Sequence, residues 1–242
     1  MKKVLAIVLA AMCLMAMVIT AAADEAMYIP VMAKGFQHQY WQAVYQGAQA
    51  AAKDYGVEIY FDGPASETTI DEQVTMLKNE MAKNPAAIAL AALSTDSVMN
   101  ELQECLEKKI PVIGFDSGVP NAPEGAIYAT AATNNENAAA LAAEKMFAHE
   151  GFADMVAAAT AKDPMVIAVI SQEAVSSSIV GRTTGFVNRM KELCSEVTTV
   201  SVTGHDIWKD EQADAAVIIH VQISATTEAT DVATASNAVL NM

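Results

Sequence analysis

The sequence predicts an α/β protein built on parallel β-sheet. Short apolar runs alternate with longer segments whose apolar side chains recur at helical spacing. One of the runs, residues 86–91 (AAIALA), contains no polar side chain, as expected for a parallel strand covered on both faces. Strand–helix–strand units of this kind have right-handed crossovers, which place helices on both faces of the sheet.

The first half of the chain alternates regularly. Residues 27–32 (MYIPVM) predict a first strand, although Pro30 lacks the N–H that a strand ladder uses. Residues 39–55 predict a helix that stops before Gly56. The other predicted elements are helices at 70–82 and 96–107 and strands at 57–61, 86–91 and 111–115.

The second half continues the alternation. After a strand at 127–130, Thr133 and Glu136 fit a capping box that opens an Ala-rich helix ending near His149. A looser stretch follows at 151–164, and residues 216–223 fit either a strand or a buried helix. The remaining predicted elements are a strand at 165–170, a helix at 178–193, a strand at 198–202 and a helix at 209–218.

The N-terminus has the features of a secretory signal peptide. Lys2 and Lys3 precede an apolar run at 4–19 and the small residues 20–23. A membrane anchor is the alternative, but the run is short for a span of about 20 residues. We therefore expect cleavage after Ala23 and a periplasmic protein.

The net charge narrows the class of partner that the chain can bind. The chain has 14 basic and 29 acidic residues, a net charge of −15, which repels phosphate backbones and anionic membrane surfaces. We expect no nucleic-acid partner.

Cys105 and Cys194, the cysteines beyond the signal peptide, have no CxxC spacing, and we expect them to be free and buried.

The common enzyme motifs are absent from the sequence. There is no GxGxxG after the first strand, no GxxxxGK[ST] and no GxSxG. The four histidines have no metal-site spacing. These patterns favour a binding protein without cofactor or metal; an α/β enzyme would need a nucleophile or cofactor loop that they do not reveal.

Polar and aromatic residues follow several predicted strands, where open parallel sheets bind their ligands. Their carboxylate and guanidinium groups suit sugar hydroxyls, and an aromatic ring suits the apolar face of a sugar. Structural roles remain open: Tyr40 and Trp41 could pack on the sheet, Asp116 could shape a turn, and Arg182 could be a surface charge. The segments concerned are residues 34–41, 94–97, 116–117 and 172–182.

Four segments together resemble the type I periplasmic sugar-binding proteins, ribose-binding-like, of ABC transporters. They are KGFQHQYWQAVYQGAQAAAKDYGV, DEQVTMLKNEMAKNPAAIALAALSTDSV, IPVIGFDSG and SSSIVGRTTGF, within a resemblance that spans about residues 26–202. It implies two Rossmann-like lobes joined by a hinge, with ligand clamped between them. The lobes would be residues 24–132 and 133–242.

The resemblance also implies ligand-binding residues. Tyr40 and Trp41 would stack on the sugar, Asp116 would bind its hydroxyls, and Arg182 would bind the ring side. His38 and His205 fall at further polar contact positions. Ribose itself is not expected, because Leu93 and Ser117 stand where ribose binders carry Asn and Arg.

The family continues for several strand–helix units beyond position 242, so we expect an incomplete second lobe. The implied function is capture of a sugar or polyol by a monomer that delivers it to an ABC transporter permease. The alternatives are a ligand sensor that docks on a membrane chemoreceptor and a shortened chain that binds nothing.

Overall fold

The computed structural model describes residues 26–242, so the predicted signal peptide lies outside the described residues. The strands are β1 Tyr28–Met32, β2 Glu58–Asp62, β3 Ile88–Leu90, β4 Val112–Phe115, β5 Ile127–Ala131, β6 Met165–Ser171, β7 Val200–Gly204 and β8 Val217–Ile223. The helices are α1 Gln39–Tyr55, α2 Ile70–Met81, α3 Met99–Lys108, α4 Asn135–Phe147, α5 Phe152–Ala158, α6 Ser177–Ser195 and α7 Ala229–Leu240.

The first lobe contains a parallel sheet of five strands in the order β2-β1-β3-β4-β5. Neighbouring side chains of β1 point to opposite faces: Val31 packs in a cluster with Trp41 of α1, and Met32 packs with Leu77 of α2. The centre of the sheet is therefore covered on both faces, which explains the apolar inner strands of the sequence.

Pro30 is accommodated within β1, although β1 is an inner strand. β1 pairs with β3 only from Val31 onward, so Pro30 precedes that ladder. Its missing N–H therefore costs little pairing, and the predicted strand is confirmed.

The second lobe contains a parallel sheet of three strands in the order β6-β8-β7. Ile167, Val217 and Ile219 of this sheet pack with Val187 and Met190 of α6 in one core. In the first sheet β2, the strand after α1, pairs with β1. In the second sheet β7, the strand after α6, is separated from β6 by β8.

The predicted helix at 209–218 is wrong. Asp210 instead forms a two-way antiparallel bridge with Val202 of β7, with N···O distances of 2.9 Å in both directions. Residues from Val217 onward form β8, which pairs along its whole length with β6 and from Val217 to Val221 with β7. The β-branched run VIIHVQI suits this central position, so sheet pairing decides its conformation.

Helix ends also differ from prediction. Asn134, not Thr133, is the N-cap of α4, and its side chain accepts a hydrogen bond from Asn137 N at 3.0 Å. Asn is among the best N-cap residues, so it prevails over the adjacent Thr. The stretch at 151–164, predicted to be loose, contains α5, and α7 was not predicted.

The chain passes from one lobe to the other between Ala131 and Asn135. Cys105 and Cys194 are free and buried, one in the core of each lobe, which confirms the prediction for both thiols. The parallel sheets in two lobes confirm the predicted fold class. Among residues 26–242, no helix is both long and apolar enough to cross a membrane.

Candidate ligand-binding cleft

A cleft of about 760 Å³ lies between the lobes, beyond the carboxyl ends of β1, β2, β4, β6 and β8. This is the expected position for a ligand in open parallel sheets, and the volume falls in the usual range for small-molecule sites. The polar and aromatic lining residues are Lys34, Phe36, Gln37, His38, Tyr40, Trp41, Ser66, Glu67, Asp116, Gln172, Ser178, Arg182, Thr227 and Glu228.

The aromatic pair opens α1 and enters the cleft from the first lobe. Tyr40 is 47% exposed, whereas Trp41 is 2% exposed and packs with Phe115 at a ring-centroid distance of 6.3 Å. The Tyr40 and Trp41 rings meet edge to face at 4.8 Å. The Tyr40 ring is therefore more accessible to a ligand than the Trp41 ring, which packs against it edge to face.

Asp116 follows β4 and has a positive φ of 55°. Its Oδ1 accepts a hydrogen bond from the Tyr40 hydroxyl at 2.9 Å. Burial, followed by this hydrogen bond, raises the pKa of Tyr40 to about 12, so the phenol remains a donor at neutral pH. The tyrosine and carboxylate therefore form one pre-arranged polar edge of the cleft.

Lys34, directly beyond β1, is a buried cation between the lobes. Its Nζ donates to the hydroxyls of Ser176 and Ser178 in the second lobe, at 3.3 and 3.2 Å. Its distance to Asp116 Oδ2 is 3.9 Å, a loose ion pair. Lys34 therefore links the carboxylate to the start of α6.

Arg182 and His38 lie at the cleft from opposite lobes. Arg182 of α6 donates through Nε to Asn135 Oδ1 at 2.8 Å. His38 is the N-cap of α1, and its Nδ1 accepts from Tyr40 N at 3.2 Å. His38 thus has a structural role in addition to lining the cleft.

Five of the six predicted site residues line this cleft: His38, Tyr40, Trp41, Asp116 and Arg182. The structure does not bring His205 to it. His205 lies beyond β7 and packs against Trp208, with ring centroids 5.3 Å apart. Because β8 lies between β6 and β7, β7 is at the sheet's outer edge, away from the cleft lining.

Glu67 is the main lining residue that the sequence reasoning missed. Its Oε1 accepts from Trp41 Nε1 at 2.8 Å and its Oε2 from Gln172 Nε2 at 2.9 Å. Reading the residues after β2 in the same way as those after the other strands would have found it. Lys34 and Gln172 belong to segments that were singled out, but neither residue was selected.

The chemistry of the cleft suits a polyhydroxylated ligand. Carboxylates accept hydrogen bonds from hydroxyls, while the Lys34 and Arg182 cations and the amide of Gln172 donate to them. The Tyr40 ring provides an apolar surface. Within residues 26–242, no three His, Cys, Asp or Glu side chains are grouped as metal ligands.

A family model described as "Periplasmic binding protein domain" matches residues 29–231, most of the chain. The chain belongs to the periplasmic binding protein family. This membership confirms the resemblance drawn from the four sequence segments, and it places the chain among binding proteins rather than enzymes.

Solved structures agree with this assignment. One solved structure, from Brachyspira murdochii, is described as "ABC transporter, LacI family transcriptional regulator". It is 38% identical to this chain, with a TM-score of 0.69 and 89% of this chain covered. An ABC transporter solute binding protein from Agrobacterium vitis, solved with bound D-fucose, is 32% identical, with a TM-score of 0.60 and 68% of this chain and 53% of that chain covered. GanP, a glucose-galactose binding protein from Geobacillus stearothermophilus, shares the fold at 22% identity, with a TM-score of 0.68, 90% of this chain and 65% of that chain covered.

The chain is shorter than these proteins. It spans 63% of the length of the Brachyspira protein. Correspondingly, the second sheet has three strands against five in the first, so the second lobe is partial relative to the first.

Proposed function

We propose that this protein is an extracytoplasmic solute-binding protein. It captures a monosaccharide or similar polyol in the interlobe cleft and delivers it to an ABC transporter permease. The observation that carries the proposal is the convergence of Tyr40, Asp116 and Arg182 on one cleft from separate segments and both lobes.

The family supports the ligand class. The Agrobacterium vitis relative, 32% identical, holds D-fucose, a neutral sugar with adjacent hydroxyls and an apolar face. The cleft here offers both kinds of contact, because the Asp116 carboxylate and the Tyr40 ring lie side by side.

The proposal includes an arrangement of the chain. Residues 1–23 would be a cleaved signal peptide, residues 24–132 the N-terminal lobe and residues 133–242 the C-terminal lobe, with the protein acting as a monomer. The connection between β5 and α4 supports a hinge at this boundary, because the chain changes lobes there. Closure about that hinge would create the surface that a permease recognises.

A thermal-unfolding screen tests the proposal. The purified protein is melted with and without pentoses, hexoses and polyols, with D-fucose, D-galactose and D-arabinose in the panel. A ligand that binds only the native state raises the free energy of unfolding by RT ln(1 + [L]/Kd) and therefore raises the melting temperature. We expect one sugar class to raise it; a cooperative melt that no panel member shifts would contradict sugar binding.

A further inference from the structure

Glu67 connects the two lobes through both of its carboxylate oxygens. Oε1 accepts from the indole N–H of Trp41 in the first lobe, at 2.8 Å. Oε2 accepts from the side-chain amide of Gln172, directly beyond β6 in the second lobe, at 2.9 Å. We call Trp41, Glu67 and Gln172 the interlobe bridge.

The loops around Glu67 are packed closely enough to hold it in place. A Cβ added to Gly63 would lie 2.9 Å from the backbone of Gly35, so the loops after β1 and β2 are in direct contact. A Cβ on Gly35 would lie 3.5 Å from Glu67 Cγ and 3.7 Å from the Trp41 ring. The main chain at Gly35 therefore lies close to both Glu67 and Trp41.

The bridge leads directly to the ligand-facing side chains. Trp41, fully buried, meets the Tyr40 ring at 4.8 Å, and Tyr40 in turn donates to Asp116. A displacement of the indole would remove the support of the Tyr40 ring. The position of Gln172, on the other lobe, is thereby connected to the aromatic surface of the cleft.

We propose that Glu67 is a positioning residue that couples the approach of the lobes to the placement of Trp41 and Tyr40. With the lobes together, Gln172 occupies one carboxylate oxygen and Trp41 the other, and the aromatic pair is fixed. With the lobes apart, Glu67 loses its second-lobe partner and Trp41 becomes accessible. The coupling belongs to the protein without ligand, so it goes beyond sugar binding.

The chemistry of the bridge predicts which substitutions preserve it. Alanine at position 67 removes both acceptors and leaves the buried indole N–H without its partner, which is costly. Glutamine keeps the shape and can accept from Trp41 through its oxygen while donating to a rotated Gln172 amide. Alanine at position 172 removes only the contact from the second lobe and leaves the Trp41–Glu67 bond in place.

Tryptophan fluorescence of the ligand-free protein tests the coupling. In a Trp208→Phe background, emission reports on Trp41 alone among the described residues. We expect Glu67→Ala and Gln172→Ala to red-shift the emission and raise the acrylamide quenching constant, and Glu67→Gln to remain near the parent. Gln49→Ala, at an exposed residue of α1, and Glu104→Ala, at a half-buried residue of α3 that pairs with Lys108 one turn later, are the matched controls and should change neither quantity.

The Gln172→Ala variant decides the outcome. If its emission and quenching equal those of the parent while Glu67→Ala changes both, Glu67 only supports Trp41 locally, and the coupling is overturned. Glu67→Gln behaving like Glu67→Ala would also overturn it, because glutamine can form both hydrogen bonds. No sugar is added, so the result does not depend on whether the cleft binds one.

Trp208 is buried and donates to Thr184 Oγ1 at 2.8 Å, so its replacement by Phe removes a buried contact. A second measurement therefore tests the coupling without that replacement. Small-angle X-ray scattering with Trp208 retained gives the radius of gyration. Gln172→Ala should increase it relative to the parent and to Gln49→Ala. An unchanged radius of gyration would contradict the coupling independently of fluorescence.

Discussion

At the scale of single residues, the carboxylate of Asp116 connects the aromatic and the cationic parts of the cleft. It accepts from Tyr40 at 2.9 Å and lies 3.9 Å from the Lys34 ammonium. Its positive φ of 55° is a conformation that Asp and Asn tolerate better than most residues. The residue therefore combines a backbone requirement with the proposed binding role.

We expect Asp116→Asn to weaken sugar binding by about 10- to 100-fold, because a charge-assisted hydrogen bond contributes about 1.5–3 kcal/mol. Asparagine keeps the backbone conformation, so the melting temperature without sugar should change little. Titration calorimetry with the sugar that stabilises the protein most measures the loss. Asp214→Asn is the control, since Asp214 has the same φ of 55° but does not line the cleft. Equal affinity of Asp116→Asn and the parent would contradict the binding role.

The two buried thiols give a second residue-scale prediction. Burial raises the pKa of Cys105 and of Cys194 to about 11, so little thiolate forms at pH 8. We expect neither thiol to react with Ellman's reagent in the native protein and both to react once it is unfolded in guanidinium. Rapid reaction of either thiol under native conditions would show that its lobe opens readily.

At the scale of elements, α4 and α6 pack so closely that Gly185 cannot carry a side chain. A Cβ on Gly185 would lie 2.2 Å from the carbonyl oxygen of Glu136, a backbone atom that cannot move aside alone. We expect Gly185→Ala to lower the free energy of unfolding by about 1–3 kcal/mol, as measured by urea denaturation.

Gly47 of α1 is the matched control for this substitution. A Cβ there meets nothing within 4 Å, so Gly47→Ala should stabilise the protein by about 0.5–1 kcal/mol through helix propensity. If Gly185→Ala were as stable as Gly47→Ala, the close contact of α4 with α6 would be wrong.

The elements of the first lobe were predictable, because its inner strands are short apolar runs and each helix has a regular period. The region after β7 was not predictable by periodicity. Residues 217–223 are a strand only because they pair with β6 and β7 on both sides, and local spacing does not show pairing.

The candidate cleft was predictable where its residues follow strands that the sequence pattern identifies. Tyr40 and Asp116 follow first-lobe strands, and Arg182 lies in the helix after β6, so the ends of parallel strands marked their segments and the family resemblance selected these residues. The resemblance also selected His205, but it follows β7, which lies at the outer edge of the second sheet, so His205 does not line the cleft. Reading the residues after β2 would have marked Glu67 as a candidate, but its hydrogen bonds to both lobes are visible only in the structure.

At the scale of the whole molecule, the two lobes differ in how many neighbouring strands pair with their first strand. β1 pairs on both sides, with β2 and β3, whereas among residues 26–242 β6 pairs only with β8. The other edge of β6 presents free backbone groups, which open more readily than those inside a sheet.

We expect native-state hydrogen exchange to show this asymmetry. The amides of Val166, Ala168 and Ile170 alternate with the residues that face β8, and they should exchange faster than those of Val31 and Met32 in β1. Mass spectrometry with peptide resolution, or NMR, measures both. Equal protection of the two strands would mean that another segment or a second molecule covers the β6 edge.

A crystal structure of the protein grown with the sugar that stabilises it most tests directly whether the interlobe cleft binds a sugar. We expect the sugar between the lobes, with its hydroxyls on Asp116 and Arg182 and its apolar face on Tyr40. A sugar bound elsewhere, or a cleft without sugar at a saturating concentration, would contradict the claim.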